Sequence, residues 1–279
     1  MSPALISGAR LAHVGILTAT SRGTTVAAHA STNTKGNYVE LSSSTPMAAD
    51  GFYVVIGGGG SSVGAQLLDI AIGAASSEQV IVPNIAFGNL NLRHTYCLYF
   101  PVPIPAGTRL SARTQSAVSA QNVSVSVMLA KGGLLVPGSL GRCVDIGTNT
   151  SASRGTNVDP GGSANTKPGY VQITAATTAP IKALLVMAVN GTATNDRVTD
   201  ADWLFDIAIG AGGSEQIIAP NIHVAMDNGG TGVAGISQPP FWLPVEIPTG
   251  SRIAVNPQSD NNTDTDENRD FYLSFIGVG

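Results

Sequence analysis

Large apolar side chains recur at every second position along most of this chain. In Leu68-Asp69-Ile70-Ala71-Ile72 they alternate with Asp and Ala, and Phe205-Asp206-Ile207-Ala208-Ile209 repeats the arrangement. Val123-Ser124-Val125-Ser126-Val127 sets valines against hydroxyls, and Phe271-Tyr272-Leu273-Ser274-Phe275-Ile276 gives a comparable strand near the C-terminus. A period of two is that of a β-strand with one buried face. No stretch has the 3.6-residue period of an amphipathic helix. The pattern predicts strands near residues 9–18, 38–42, 52–57, 66–73, 78–85, 96–102, 109–115 and 123–130, and a second series from about Arg142 to Ile276.

Turn residues punctuate these strands. Gly73-Ala74-Ala75-Ser76-Ser77 predicts a tight reversal, so residues 66–85 read as a hairpin. Ile104-Pro105-Ala106-Gly107 and Ile247-Pro248-Thr249-Gly250 suit turns with Pro second and Gly fourth. Pro101, Pro103 and Pro244 remove backbone donors, which places the strand before that turn at a sheet edge. Asn84, after Pro83, is expected to lie in a turn.

The chain repeats itself. Asp69 to Ile85 reads DIAIGAASSEQVIVPNI and Asp206 to Ile222 reads DIAIGAGGSEQIIAPNI, 13 matches in 17 positions without a gap. Ser21-Arg22-Gly23-Thr24 returns as Ser153-Arg154-Gly155-Thr156, and Asn33-Thr34-Lys35 as Asn165-Thr166-Lys167. Ile104 to Arg109 returns as Ile247 to Arg252, and Gln115-Ser116 as Gln258-Ser259. The offset grows from 132 to 137 to 143, so insertions have accumulated between the shared blocks of the second copy. A unit of this size buries its own core, which makes the repeat a duplicated domain and not a solenoid. The fold class expected is all-β: two tandem antiparallel β-sandwich domains of jelly-roll type, residues 1–137 and 138–279, joined in the Gly-rich stretch around Pro137. An immunoglobulin-like sandwich is the nearest competitor, but its Cys…Trp…Cys pattern is absent.

Composition agrees with a turn-rich sandwich: 33 glycines, 16 prolines, and charged residues at 11% of 279 against about 25% in an ordinary soluble domain. A net charge of −4 argues against nucleic acid and anionic membrane as partners. No apolar run is long enough to span a bilayer, and no basic-then-apolar leader opens the chain. Cys97 and Cys143 are too few for a disulfide framework and are expected to be free.

Duplication tests candidate chemistry, because a site belonging to the fold should occur twice. His13, His29, His94 and His223 fall opposite Asp145, Gly161, no histidine and Ala86 respectively, and none has metal-ligand spacing. Gly57 to Gly64 lacks the lysine of a phosphate loop and reads as a loop between strands. Asp260 to Glu267 is acidic but fails the EF-hand pattern at Thr265 and Phe271, and its counterpart in the first copy has no carboxylate. Trp203 and Trp242, opposite Gln66 and Tyr99, are expected to pack in the core or rim instead of stacking on sugars. No catalytic residue, cofactor site or metal site is expected, and the chain is read as no enzyme.

The polar residues that do recur are Asp69 with Asp206, Glu78 with Glu215, Asn84 with Asn221 and Arg109 with Arg252, together with Gln79/Gln216 and Arg22/Arg154. They are expected to be structural, fixing hairpin and turn geometry through hydrogen bonds and ion pairs. Asp69 is expected to pair with Arg109, and Asp206 with Arg252.

The repeated DIAIGA…SEQ…PNI hairpin, the Ile-Pro-x-Gly-x-Arg turn and the terminal alternating strand resemble β-sandwich proteins of tailed bacteriophages and prophages. The resemblance covers both halves. It implies a virion component: a capsid decoration (cement) protein seated on the major capsid protein as a homotrimer, or a tail-fibre or spike module that binds a host receptor or glycan. It implies no catalytic residue.

Overall fold

The computed structural model describes residues 10–58, 64–88, 95–132, 141–189, 201–227, 235–236, 240–260 and 270–279. The first domain contains β1 (Arg10–Val14), β2 (Ile16–Leu17), β3 (Arg22–Ala27), β4 (Val39–Ser42), β5 (Gly51–Gly58), β6 (Gln66–Ile72), β7 (Gln79–Phe87), β8 (Thr95–Phe100), β9 (Leu110–Ser116) and β10 (Asn122–Lys131). The second contains β11 (Cys143–Ile146), β12 (Thr148–Asn149), β13 (Arg154–Val158), β14 (Val171–Thr174), β15 (Ile181–Val189), β16 (Ala201–Ile209), β17 (Gln216–Asp227), β18 (Gly235–Ile236), β19 (Phe241–Ile247), β20 (Ile253–Ser259) and β21 (Phe271–Val278). Among the described residues the one helical turn is a 3₁₀ segment at Thr18–Thr20.

Each domain is a sandwich of two antiparallel sheets. In the first, β2-β3-β10-β5-β8 faces β4-β9-β6-β7, with β1 also paired to β10. In the second, β12-β13-β21-β15-β19 faces β14-β20-β16-β17-β18, with β11 paired to β21. Taken in chain order, β3 to β10 and their counterparts form the eight-strand jelly roll, and the two copies share strand order. Registers match as well: Val125 pairs with Thr24, and Leu273 with Thr156. The prolines announce the edges, since β8 and β19 close their sheets.

One strand escapes the hydrophobic pattern. Arg22-Gly23-Thr24-Thr25-Val26-Ala27 has little apolar bulk, yet it forms β3 beside β10. Gly23 explains the approach: a Cβ there would lie 2.6 Å from the Val125 carbonyl group, and Gly155 meets Leu273 in the same way. Its signal in the sequence is recurrence, not periodicity.

Phe52, Val54, Ile56, Leu67, Ile70, Val125 and Val127 build the first core. Phe205, Ile207, Val255, Phe271, Leu273 and Phe275 build the second. The β15–β21 sheet is apolar on both faces. Leu184, Val186 and Ala188 point into the second domain's core, whereas Leu185, Met187 and Val189 join the core of the first. Ile276 and Val278 of β21 do the same, and so does Cys143 of β11. The expected boundary around Pro137 and the acidic segment after Asp260 lie outside the described residues, as does most of the Gly57–Gly64 run.

Candidate functional site

The recurring polar residues form two stations in each domain. At the first, Arg109 Nη1 donates to Glu78 Oε1 (3.0 Å) and to the Gly73 carbonyl (3.2 Å), while its Nε reaches Glu40 Oε2 (2.9 Å). Arg252 does likewise with Glu215 (3.0 Å), Gly210 (3.2 Å) and Gln172, which stands where Glu40 stands (2.9 Å). Each arginine therefore locks the tip of its signature hairpin to the neighbouring strand. Burial alone would raise the Glu78 carboxyl, but its own backbone N–H, Arg109 and the Ser76 N–H hold it below the usual carboxylate value. Glu215 is lowered first by its own backbone N–H; burial pushes the other way, and Arg252 and the Gly213 N–H add to the lowering.

The second station corrects the expected pairing. Asp69 bonds Lys35 Nζ (2.8 Å) and Arg113 Nε (2.8 Å), not Arg109. Asp206 pairs with Lys167 (2.6 Å), not Arg252. Register is the reason: Asp69 lies directly opposite Arg113 in the β6–β9 ladder, whereas Arg109 lies beyond the end of β9. In the second copy Asn256 takes that opposing place, leaving one cation. Asn84 is corrected too. It sits within β7, not in a turn, at a bulge where the β6 register shifts. Its φ of 49° is matched by Asn221. Asp69 Oδ1 accepts the Asn84 backbone N–H (2.9 Å), and Asp206 Oδ1 that of Asn221 (2.8 Å). A buried carboxylate thus fixes the bulge in both copies.

In the first domain this bulge meets the second domain. Asn84 Nδ2 donates to Asp145 Oδ2 (2.7 Å), and the Ala86 N–H faces the Met187 sulfur (3.3 Å). Gln115 Nε2 donates to the Thr150 carbonyl (2.7 Å) and to Ser153 Oγ (2.9 Å), and Ser153 Oγ donates to Asn33 Oδ1 (2.8 Å). Trp242 Nε1 donates to the Tyr99 carbonyl (2.9 Å), with its ring edge-on to Phe100. An open polar groove of about 570 Å³ runs along this seam, lined by Lys35, Asp69, Asn84 and Arg113 on one side and Thr150 and Ser151 on the other.

Asp69 accepts from two cations and a backbone amide. Burial pulls the Lys35 ammonium below its usual value, while Asp69 holds it up in part. Arg113 lies 4.5 Å over the Tyr38 ring. Trp203 is fully buried, and Trp242 is half-buried with its N–H engaged at the seam. Cys97 and Cys143 are free thiols; burial pushes Cys143 up to about 12. Among the described residues no group of three or more metal-ligating side chains comes together, and no helix is long and apolar enough to cross a membrane.

Sequence reasoning therefore found Asp69, Asn84, Glu78 and Arg109 with their counterparts, but not Lys35, Arg113, Lys167, Gln115 or Ser153. Four of those five, Lys35, Lys167, Gln115 and Ser153, lie in recurring blocks, and recurrence is the signal that marks them.

No protein-family model matches the sequence, and no curated protein is similar to it. Solved structures give distant likenesses. PNGF-II has a TM-score of 0.42 at 8% identity over 97% of this chain and 65% of that one. A protein in the structure of Sulfolobus Turreted Icosahedral Virus gives 0.36 at 11%, over 97% and 90%. Tandem CBM51 modules of a family 98 glycoside hydrolase from Streptococcus pneumoniae give 0.21 at 11%, over 97% and 100%. The chain thus spans slightly under two thirds of PNGF-II. Similarity at these values decides nothing about function.

Proposed function

We propose that this chain is a structural virion protein, a decoration protein that binds the outside of a tailed-phage head and reinforces it by protein–protein contact. The observation that carries this reading is how the chain uses its own surface. One jelly-roll sheet already docks on another through Leu185, Met187 and Ile276, with a short set of hydrogen bonds and few charges. Surfaces of that kind bind by shape and apolar area, with little dependence on salt. The recurring polar groups hold backbone geometry in both copies, which supports reading the chain as no enzyme. Its partners in this proposal are the major capsid protein and other copies of itself in a homotrimer.

The experiment is a count of this protein per purified particle. A number near that of the major capsid subunits is expected; a handful per particle would overturn decoration in favour of the tail. The polar seam groove favours a second reading, a tail-fibre or spike module that holds a host receptor or glycan. Binding on a glycan array that is lost on Arg113→Ala would support it.

A further inference from the structure

Apart from the Tyr99–Trp242 contact, where equivalent strands of both copies meet, the seam between the domains uses one surface from each copy and leaves its counterpart on the other copy unused. The first domain offers a socket: the β7 segment with Asn84, Ile85 and Ala86, and beside it Gln115 and Asn33. The second offers a plug: the outward face of β15 and β21, and the tight turn carrying Thr150 and Ser153. Every one of these positions has an equivalent at the opposite end of the molecule.

The clasp residues are identical there. Thr18 and Ser21 stand on the first domain where Thr150 and Ser153 stand on the second. Gln258 and Asn165 stand on the second where Gln115 and Asn33 stand on the first. Their backbones are also set alike, with φ of 53° at Ser21 against 55° at Ser153, and 54° at Asn165 against 55° at Asn33. Only burial differs: Ser153 and Gln115 are buried, whereas Ser21 is exposed and Gln258 half-exposed.

The apolar surfaces follow the same rule. Ala86, whose N–H meets Met187, is buried at the seam, while its counterpart His223 is exposed, and Ile217 on the same face is 50% exposed. On the plug side, Tyr53, Val55 and Met128 hold the places of Leu185, Met187 and Ile276 and lie partly open. Departures from identity are compensating. Within the chain the small Ala86 meets the long Met187. At the unused ends the larger His223 would meet the smaller Val55, which roughly conserves volume. Asp145, which accepts from Asn84, is replaced by His13, whose imidazole can accept from Asn221.

We infer that the intrachain seam is repeated between molecules: the β1–β5–β10 face and Ser21 turn of one chain dock on the β17 face, Gln258 and Asn165 of a second copy. This is a head-to-tail contact, which closes into a ring or extends as a filament according to the rotation it imposes. It stands on the duplication alone and does not require a virus particle, so it can fail while the decoration reading survives, and the reverse.

The test uses two full-length variants. Ser21→Arg blocks the plug; the position already carries a non-glycine residue in the left-handed region, so the fold tolerates the change. Gln258→Arg blocks the socket. In sedimentation velocity the unaltered chain is expected to run larger than its 28.3 kDa monomer, and each variant alone as a monomer. Mixed in equal amounts, the two are expected to form a dimer and nothing larger, because one intact plug and one intact socket remain. Val55→Arg, on the open sheet face, should behave as a second plug block. A monomeric unaltered chain, variants that keep its mass, or a mixture that stays monomeric would overturn the inference.

Discussion

The hairpins β6–β7 and β16–β17 have nearly the same sequence and share the arginine lock and the carboxylate bond to the bulge, yet they live in different surroundings. In the first, the bulge at Asn84 is covered by Asp145 and the Thr150 turn. In the second, Asn221 is open and Lys167 Nζ donates to its side-chain oxygen (2.9 Å). Conversely, the outward face of β15 is apolar and covered, whereas that of β5 is half-open. Duplication therefore preserved the parts that fold each domain and let the parts that meet neighbours diverge by position. What an identical segment contributes to stability depends on which end of the molecule it occupies.

The sharpest break of this comparison is at the covered face. Leu185→Ala should cost about 4 kcal/mol, as for a fully buried leucine, and Tyr53→Ala at the equivalent open position under about 1 kcal/mol. Urea denaturation of the monomeric Gln258→Arg background measures both, and equal losses would erase the distinction between the faces. Next come the bulge carboxylates. Asp69→Asn strands two cations and should lose about 3 kcal/mol, and Asp206→Asn, facing one cation, about 2 kcal/mol. Unchanged thermal stability in either variant would show that the ion pairs do not hold the bulge.

The clasp gives a smaller difference. Gln115→Ala removes two hydrogen bonds at the seam and should cost about 1–2 kcal/mol, while Gln258→Ala should leave the monomer's melting temperature unchanged. The last prediction sharpens the likeness instead of the contrast. Glu78 and Glu215 are both held below the ordinary carboxylate value of 4.5. Their folded values lie under their unfolded ones, so the stability they confer is complete above about pH 4.5 and is lost as the pH falls through the lowered values. Glu78→Gln and Glu215→Gln should flatten the acid limb of the stability profile to the same extent. An effect from only one of them would mean that the arginine locks are not equivalent.

Much of this was legible without coordinates. Alternation located β5, β6, β8 and β10, prolines located the edge strands, and repetition identified the polar groups that matter. The turn expected at Asn84 was not there, because local residue preference cannot tell a turn from a bulge held by a carboxylate on the next strand. The partner of Asp69 was missed for a related reason: Arg109 and Arg113 are four residues apart, and only the ladder register selects between them. Strand β3 was missed because close packing against β10, not apolar bulk, defines it.

The sequence by itself determined the period of the strands, the twofold repetition and the low charge, because each is a property of neighbouring residues or of composition. Tertiary structure alone decided which face of a strand finds a partner and which cation meets a given carboxylate. Both are set by segments far away in the chain, 34 and 44 residues for the two cations of Asp69 and 120 where Ser153 reaches Asn33, and a local pattern carries no record of what lies across that distance.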